Sequence, residues 1–266
     1  MTDKEKLKKI EELQNEKGHD QEGLELLYNL LELKINFKKQ IHVKPISVEL
    51  KERRLLEGES LVRREELTID IPQFVRHWQD VERIFRSHDV LSIEVTDPGQ
   101  YLREFIEGRG DLLDIVERNG ENGELLHYIM IEVLKPVYET YGEAYGKLFD
   151  DATWVEPFCY VCGGAPEMAM LAGDGGKRYL YCRLCDTSWW YAKLKCPYCG
   201  NVELEKLVSL TLEDNPSYIL HGCKACSRYI KVVDARIRDG ALFFELEDLK
   251  SSRLDDVARR EGFRPY

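Results

Sequence analysis

The chain has 266 residues, of which 43% are hydrophobic and 33% charged, with a formal net charge of −11, a composition that supports a sizeable soluble core. No stretch is apolar for long enough to span a bilayer, and nucleic-acid binding, which draws on a basic footprint, is disfavoured. The acidic excess lies in the first 155 residues, and the remainder is formally neutral.

The N-terminal MTDKEKLKKIEEL lacks the apolar core and cleavage site of a secretory signal, so a cytoplasmic location is expected. The first 150 residues read as helical, with an apolar period near 3.6. Leu24, Leu27, Leu30 or Leu31, and Phe37 form one stripe within residues 22–38. Residues 42–70 are charged and without clear period, and are expected to connect and wrap over the helices. Ile71, Phe74, Val75, Trp78, Val81 and Phe85 mark a second helix over 71–87.

Asp97-Pro98 is a helix start that places Tyr101, Leu102, Phe105 and Ile106 before a stop at Gly108. Leu112, Leu113, Ile115 and Val116 predict a short helix closed by Asn119-Gly120. A long helix follows over 125–148, with Tyr138, Tyr141 and Tyr145 read as core rather than as a groove for a partner peptide. Pro136 within it removes a backbone donor and crowds the Glu132 carbonyl, which predicts a kink or a break.

All eight cysteines fall in four C-x-x-C pairs: Cys159/Cys162, Cys182/Cys185, Cys196/Cys199 and Cys223/Cys226. A tetrahedral ion needs four thiolates at about 2.3 Å, and two such turns supply them. The stretch is also a tandem repeat: each copy runs C-x-x-C-G, strand, polar turn, strand, C-x-x-C, strand. The expected grouping is therefore Cys159, Cys162, Cys182 and Cys185 around one ion, and Cys196, Cys199, Cys223 and Cys226 around the other; crossed ligation stays open. Zinc is the default for four thiolates, and iron fits the same cage.

Gly163 and Gly200 follow the leading pairs, where the turn often needs positive φ. Asp186 and Ser227 follow the trailing pairs, so these turns are expected to be less regular. Structural disulfides would need an oxidising compartment, and a thioredoxin-like motif would need a helix after its pair. Lys177/Arg178, Lys193/Lys195 and Lys224/Arg228/Lys231 lie beside the knuckles, as solvated faces, as offsets to thiolate charge, or as contacts for an acidic partner. Trp189, Trp190 and Tyr191 either cover a seam or anchor a partner.

No phosphate-binding loop, dinucleotide fingerprint, H-E-x-x-H or G-x-S-x-G occurs. The six histidines are scattered; His221, two residues before Cys223, is a weak candidate to replace a thiolate ligand, and His77 and His127 sit in helical segments. No catalytic residue is assigned.

CYVCGGAPEMAML, then RYLYCRLCDTSWWYAKLKCPYCGN, then CKACSRYIKVVD, ending in LDDVARREGF, resembles the formate dehydrogenase accessory protein family, the FdhE-type proteins. The resemblance covers the cysteine half, including Arg178 to Trp189 and Gly262-Phe263, while the helical part agrees only in type and order. It implies an α+β multidomain protein: an all-α domain over 1–150, a rubredoxin-like or zinc-ribbon module over 151–195, and a second over 196–266 with a C-terminal helix. It further implies a non-enzymatic cytoplasmic assembly factor that binds the formate dehydrogenase catalytic subunit before export, with the eight cysteines as its functional residues and no membrane insertion or nucleic acid. Two other readings stay open: a thiol redox or sulfur-handling factor, and a nucleic-acid-binding zinc ribbon.

Overall fold

The computed structural model describes residues 1–90, 95–109, 123–147 and 154–265. They divide into two compact units, one of Thr2–Leu50 with Val62–Tyr141, the other of Lys51–Leu61 with Gly142–Tyr266. The expected short helix at 112–116 lies outside the described residues.

The first unit is helical. α1 (Asp3–Gln14) opens on a capping box in which Thr2 and Glu5 satisfy each other's backbone N–H. α2 (Gln21–Lys38) and α4 (Ile71–Ser87) start on Asp20 and Asp70, whose side chains accept from Gly23 and Gln73 N–H. α5 (Pro98–Ile106) starts in the same way on Asp97. The stripes read from sequence face inward: Leu24, Leu30, Leu31 and Phe37 of α2, Phe74, Trp78, Val81 and Phe85 of α4, and Leu102 and Phe105 of α5 are buried. Part of the 42–70 segment is itself helical, as α3 (Val48–Leu56).

α6 (Gly123–Tyr145) runs through Pro136 without a break. From Ile129 to Glu139 it is buried on every side, which accounts for a helix surviving a proline that costs about 3 kcal/mol when exposed. Its buried charge is matched: the Glu139 carboxylate accepts from Lys34 Nζ at 2.7 Å and Lys38 Nζ at 3.3 Å, with Lys135 Nζ 4.0 Å away. Burial opposes the charge on Glu139, but Lys34, Lys135, Lys6 and Lys38 outweigh it and hold its pKa below the usual range. Tyr138 and Tyr141 are core residues, as expected.

The second unit is built on one six-stranded sheet. β1 (Met168–Ala172), β2 (Lys177–Cys182) and β3 (Thr187–Trp190) come from the first repeat, and β4 (Leu207–Leu212), β5 (Asn215–Cys223) and β6 (Arg228–Asp234) from the second. The order is β3-β2-β1-β6-β5-β4, with β1 and β6 joined in parallel and the other pairs antiparallel. Equivalent strands follow one another in the same direction, so the copies are related by translation across the sheet.

The last two helices, α7 (Phe244–Lys250) and α8 (Arg253–Arg260), cover one face of this sheet. Met168, Tyr181, Tyr218, Leu220 and Val233 pack there with Phe244, Leu254 and Phe263, and the Tyr181 and Phe244 rings stack at 4.0 Å. A Cβ on Gly222 would meet Phe263 at 2.7 Å, so that glycine is what admits the ring. Lys231, expected at a solvated face, is instead buried on this side and bonds Asp248 and Asp255 at 2.5 and 2.8 Å. On the opposite face lie Ala169, Leu180, Trp189, Val232, Ile219 and His221, as the strand register dictates.

Candidate metal centres

Each C-x-x-C pair sits in a tight turn closed by a backbone bond from the residue after the second cysteine to the carbonyl of the first. The donors are Gly163 (2.8 Å), Asp186 (2.9 Å), Gly200 (3.1 Å) and Ser227 (2.8 Å). All four adopt positive φ, at 74°, 58°, 72° and 57° respectively. The trailing turns therefore repeat the leading ones, contrary to expectation. Closing the ring fixes the backbone, and Asp186 and Ser227 accept the left-handed strain that glycine avoids. Backbone N–H groups aim at sulfur in the leading turns, from Gly164 to Cys162 Sγ and from Tyr198 to Cys196 Sγ, both at 3.4 Å.

The antiparallel pairing of β1 with β2, and of β4 with β5, brings each leading turn onto the trailing turn of its own copy. Sγ atoms of Cys159, Cys162, Cys182 and Cys185 lie within 4.8 Å of one another, and so do those of Cys196, Cys199, Cys223 and Cys226. In the first group Cys159–Cys185 and Cys162–Cys182 are each 3.4 Å apart; in the second, Cys196–Cys226 is 3.8 Å and Cys199–Cys223 3.7 Å. A tetrahedron with metal–sulfur bonds of about 2.3 Å has edges of about 3.8 Å, so the second group matches and the first is slightly compressed. All eight thiols are free, and these separations far exceed the roughly 2.05 Å of a disulfide.

Without a cation such crowding is costly. In the first group burial, followed by the neighbouring thiols, drives Cys162 and Cys185 well up, while hydrogen bonds from Cys159, Cys162 and Cys185 let Cys182 drop. Four converging sulfurs form a donor set that a divalent or trivalent ion completes. His221 joins neither group. His77 is buried in α4 and stacked on Phe37 at 3.8 Å, and His127 lies in α6.

The two groups differ in surroundings. In the first, Cys159, Cys182 and Cys185 are buried; in the second, Cys199 is exposed and Cys226 half-buried. The first is enclosed by its own unit. Leu61 N–H donates to the Tyr160 carbonyl at 2.8 Å, and the end of α6 abuts the trailing turn, where a Cβ on Gly142 would lie 1.9 Å from the Cys185 carbonyl oxygen. Trp189 is buried and donates to the Glu156 carbonyl at 3.0 Å; Tyr191 is buried too. Trp189 and Tyr191 thus fill the fold, while Trp190 is half-buried.

Sequence reasoning passed over Gly142 and the role of Arg178. The signal for Gly142 was present, since a glycine inside a strongly apolar helical run costs about 1 kcal/mol and implies a packing reason. Arg178 gave no such signal: it is buried, and its Nη2 donates to the Ala192 and Lys195 carbonyls at 2.6 and 2.5 Å, holding the segment that leads into the second repeat.

Residues 158–193, spanning the first group, match the family model described as FdhE, central domain. The "Protein FdhE homolog" of Aquifex aeolicus is 33% identical over 148 residues. Over its cysteine half the chain is similar to FdhE-type proteins. The match covers 54% of this chain and 51% of the Aquifex protein; the "Protein FdhE" of Escherichia coli K12 is 32% identical over 109 residues, 40% of this chain and 34% of that one. The chain thus spans about half, or less, of the curated FdhE relatives it matches. A crystal structure of the FdhE protein from Pseudomonas aeruginosa shares the fold, with a TM-score of 0.58 at 19% identity, covering 99% of this chain and 91% of the other. The fold is therefore a helical part followed by two four-cysteine modules, as read from sequence. Among the described residues no helix is long and apolar enough to cross a membrane.

Proposed function

We propose that this protein is an accessory factor for formate dehydrogenase, which binds the enzyme's catalytic subunit in the cytoplasm during maturation and before export. The observation that carries the reading is the FdhE-type match over residues 158–193, which centres on the first four-cysteine group. In this reading Cys159, Cys162, Cys182 and Cys185 hold one metal ion, and Cys196, Cys199, Cys223 and Cys226 a second, zinc or ferric iron. The ions supply folding free energy, on the order of 10 kcal/mol per structural zinc in peptide models. The residues around them do the rest: the turns present loops, and the sheet holds both turns of each copy rigid. The role is binding rather than catalysis.

Pull-down of the formate dehydrogenase catalytic subunit from the same organism tests this, using wild type and the Cys159→Ser and Cys196→Ser variants. Wild type should retain the subunit and both variants should lose most of it; retention by none, or equally by all, contradicts the reading. Exposure of Cys199 supports a second reading, thiol redox or sulfur handling at the second group. Thiol counting separates the two, since slow labelling of all eight sulfurs argues against labile chemistry.

A further inference from the structure

We propose that an open cleft beside the second four-cysteine group is the docking site for an acidic peptide segment of the client protein, with an apolar side chain set between its carboxylates. This deepens the accessory-factor reading and rests on it for the client's identity.

The cleft is a cavity of about 200 Å³ on the sheet face not covered by α7 and α8, with Leu207, Ser209 and His221 along one side and the Leu194–Tyr198 segment along the other. That volume admits one bulky side chain. Its mouth is apolar and wet: Leu194 and Leu204 are 60% and 61% exposed, and Val202 close by in sequence is 62% exposed. Large aliphatic side chains this exposed, grouped around a concave site, mark a surface that something covers.

The first repeat serves as an internal control. Strands β1 and β2 occupy the place of β4 and β5, and on the same face Ala169, Leu171 and Leu180 are at most 1% exposed. At the matching end of the second repeat, Ser209 and Thr211 are exposed and Leu207, Ile219 and His221 only half-buried. The same scaffold is filled by its own chain in one copy and left open in the other.

Charge sets the chemistry of the occupant. Arg178, Lys193, Lys195 and Arg228 line the cleft, and no carboxylate does among the described residues. Cys196 and Cys223 also line it, and a four-thiolate centre carries about two negative charges with zinc or one with ferric iron. Arg178, Lys193 and Lys195 alone exceed that. Asp234, which acts on Lys193 at longer range, is already clamped by Arg236 through bonds of 2.8 and 2.6 Å. Arg178 is 2% exposed, and its Nε has no partner while Nη2 bonds two carbonyls. A cationic wall around an apolar cavity selects carboxylates flanking a leucine- or phenylalanine-sized side chain, both for encounter and for register.

The test uses the full-length metal-loaded protein and two fluorescent peptides, one alternating Glu with Leu and the other Gln with Leu. A Lys193→Glu/Lys195→Glu variant and a separate Leu204→Asp variant are compared after confirming unchanged metal content. Wild type should bind the Glu peptide at least ten-fold tighter than the Gln peptide, and less tightly as salt rises. Each variant should lose at least ten-fold. Equal binding of both peptides, no binding, unchanged variants, or competition by single-stranded RNA but not by the Glu peptide would overturn the proposal. In parallel, the catalytic subunit of formate dehydrogenase is offered to wild type and variants. If variants and wild type retain it equally, the cleft is not the docking site although the accessory reading stands. If wild type binds the Glu peptide but not the subunit, the cleft binds acidic peptide and the accessory reading fails.

Discussion

The Cys185 carbonyl oxygen occupies the space that a side chain at position 142 would need: a Cβ on Gly142 would come within 1.9 Å of it. A helix end and a cysteine turn are thereby packed backbone to backbone, and a Cβ on Gly146 would likewise come within 3.1 Å of Thr187 Oγ1. The first four-cysteine group thus depends on a glycine with no chemistry of its own.

Gly142→Ala should therefore damage the first centre although alanine is the better helix former. We expect a loss of roughly 3 kcal/mol in stability, and metal content falling from two equivalents towards one. Chemical denaturation with metal analysis checks this. A variant as stable as wild type with both ions bound would show that the turn can shift.

The second centre should be the more exchangeable. Cys199 is exposed and Cys226 half-buried, whereas three of the four sulfurs of the first group are buried, and access governs thiol exchange. Under a chelator, half of the metal should leave at least ten-fold faster than the rest, and thiol labelling should reach Cys199 first. Mass spectrometry of labelled peptides reads the order; uniform release, or first labelling at Cys159, would contradict it.

Much of this was legible in the sequence because the motifs are local. C-x-x-C turns, an Asp-Pro start at residue 97 and the 3.6-residue stripes of α2 and α4 each follow from a few neighbouring residues. What escaped depended on distant partners. That α6 does not break at Pro136, one of the two outcomes expected there, comes from burial on all sides, and the regular turns at Asp186 and Ser227 from ring closure that outweighs side-chain preference. The burial of Lys231 required knowing that Asp248 and Asp255 of the last two helices descend on it. The grouping of Lys51–Leu61 with the cysteine half has no local signature at all.

In the helical unit, Glu139 neutralises a cluster of buried lysines, so Glu139→Gln should cost roughly 3–5 kcal/mol, the usual penalty for stranding one side of a buried ion pair. Since its folded pKa is lowered, its contribution is fully present above the unfolded carboxylate range and is lost as pH falls from there through the lower folded value. Urea unfolding at neutral pH checks the magnitude; a change under 1 kcal/mol would contradict the account.

His77 adds an acid-sensitive element at higher pH. Burial lowers its pKa from 6.5 to about 4, against the opposing pull of Asp80 and the Glu132 carbonyl, which Pro136 leaves without its helical donor. The folded state takes up the proton less readily than the unfolded one, so stability should decline from pH 6.5 to about 4 and level off below. The full loss is about 3 kcal/mol. His77→Phe, stacked on Phe37, should abolish that slope in thermal melts across this range; an unchanged slope would place the titration elsewhere.

The central claim is that eight thiolates form two four-sulfur metal centres. Elemental analysis of anaerobically purified protein, with sulfur as the internal standard for chain number, tests it most directly. The account predicts two equivalents of zinc or iron per chain, falling to one in Cys159→Ser and in Cys196→Ser. Metal-free protein that keeps its fold and all eight free thiols would contradict it.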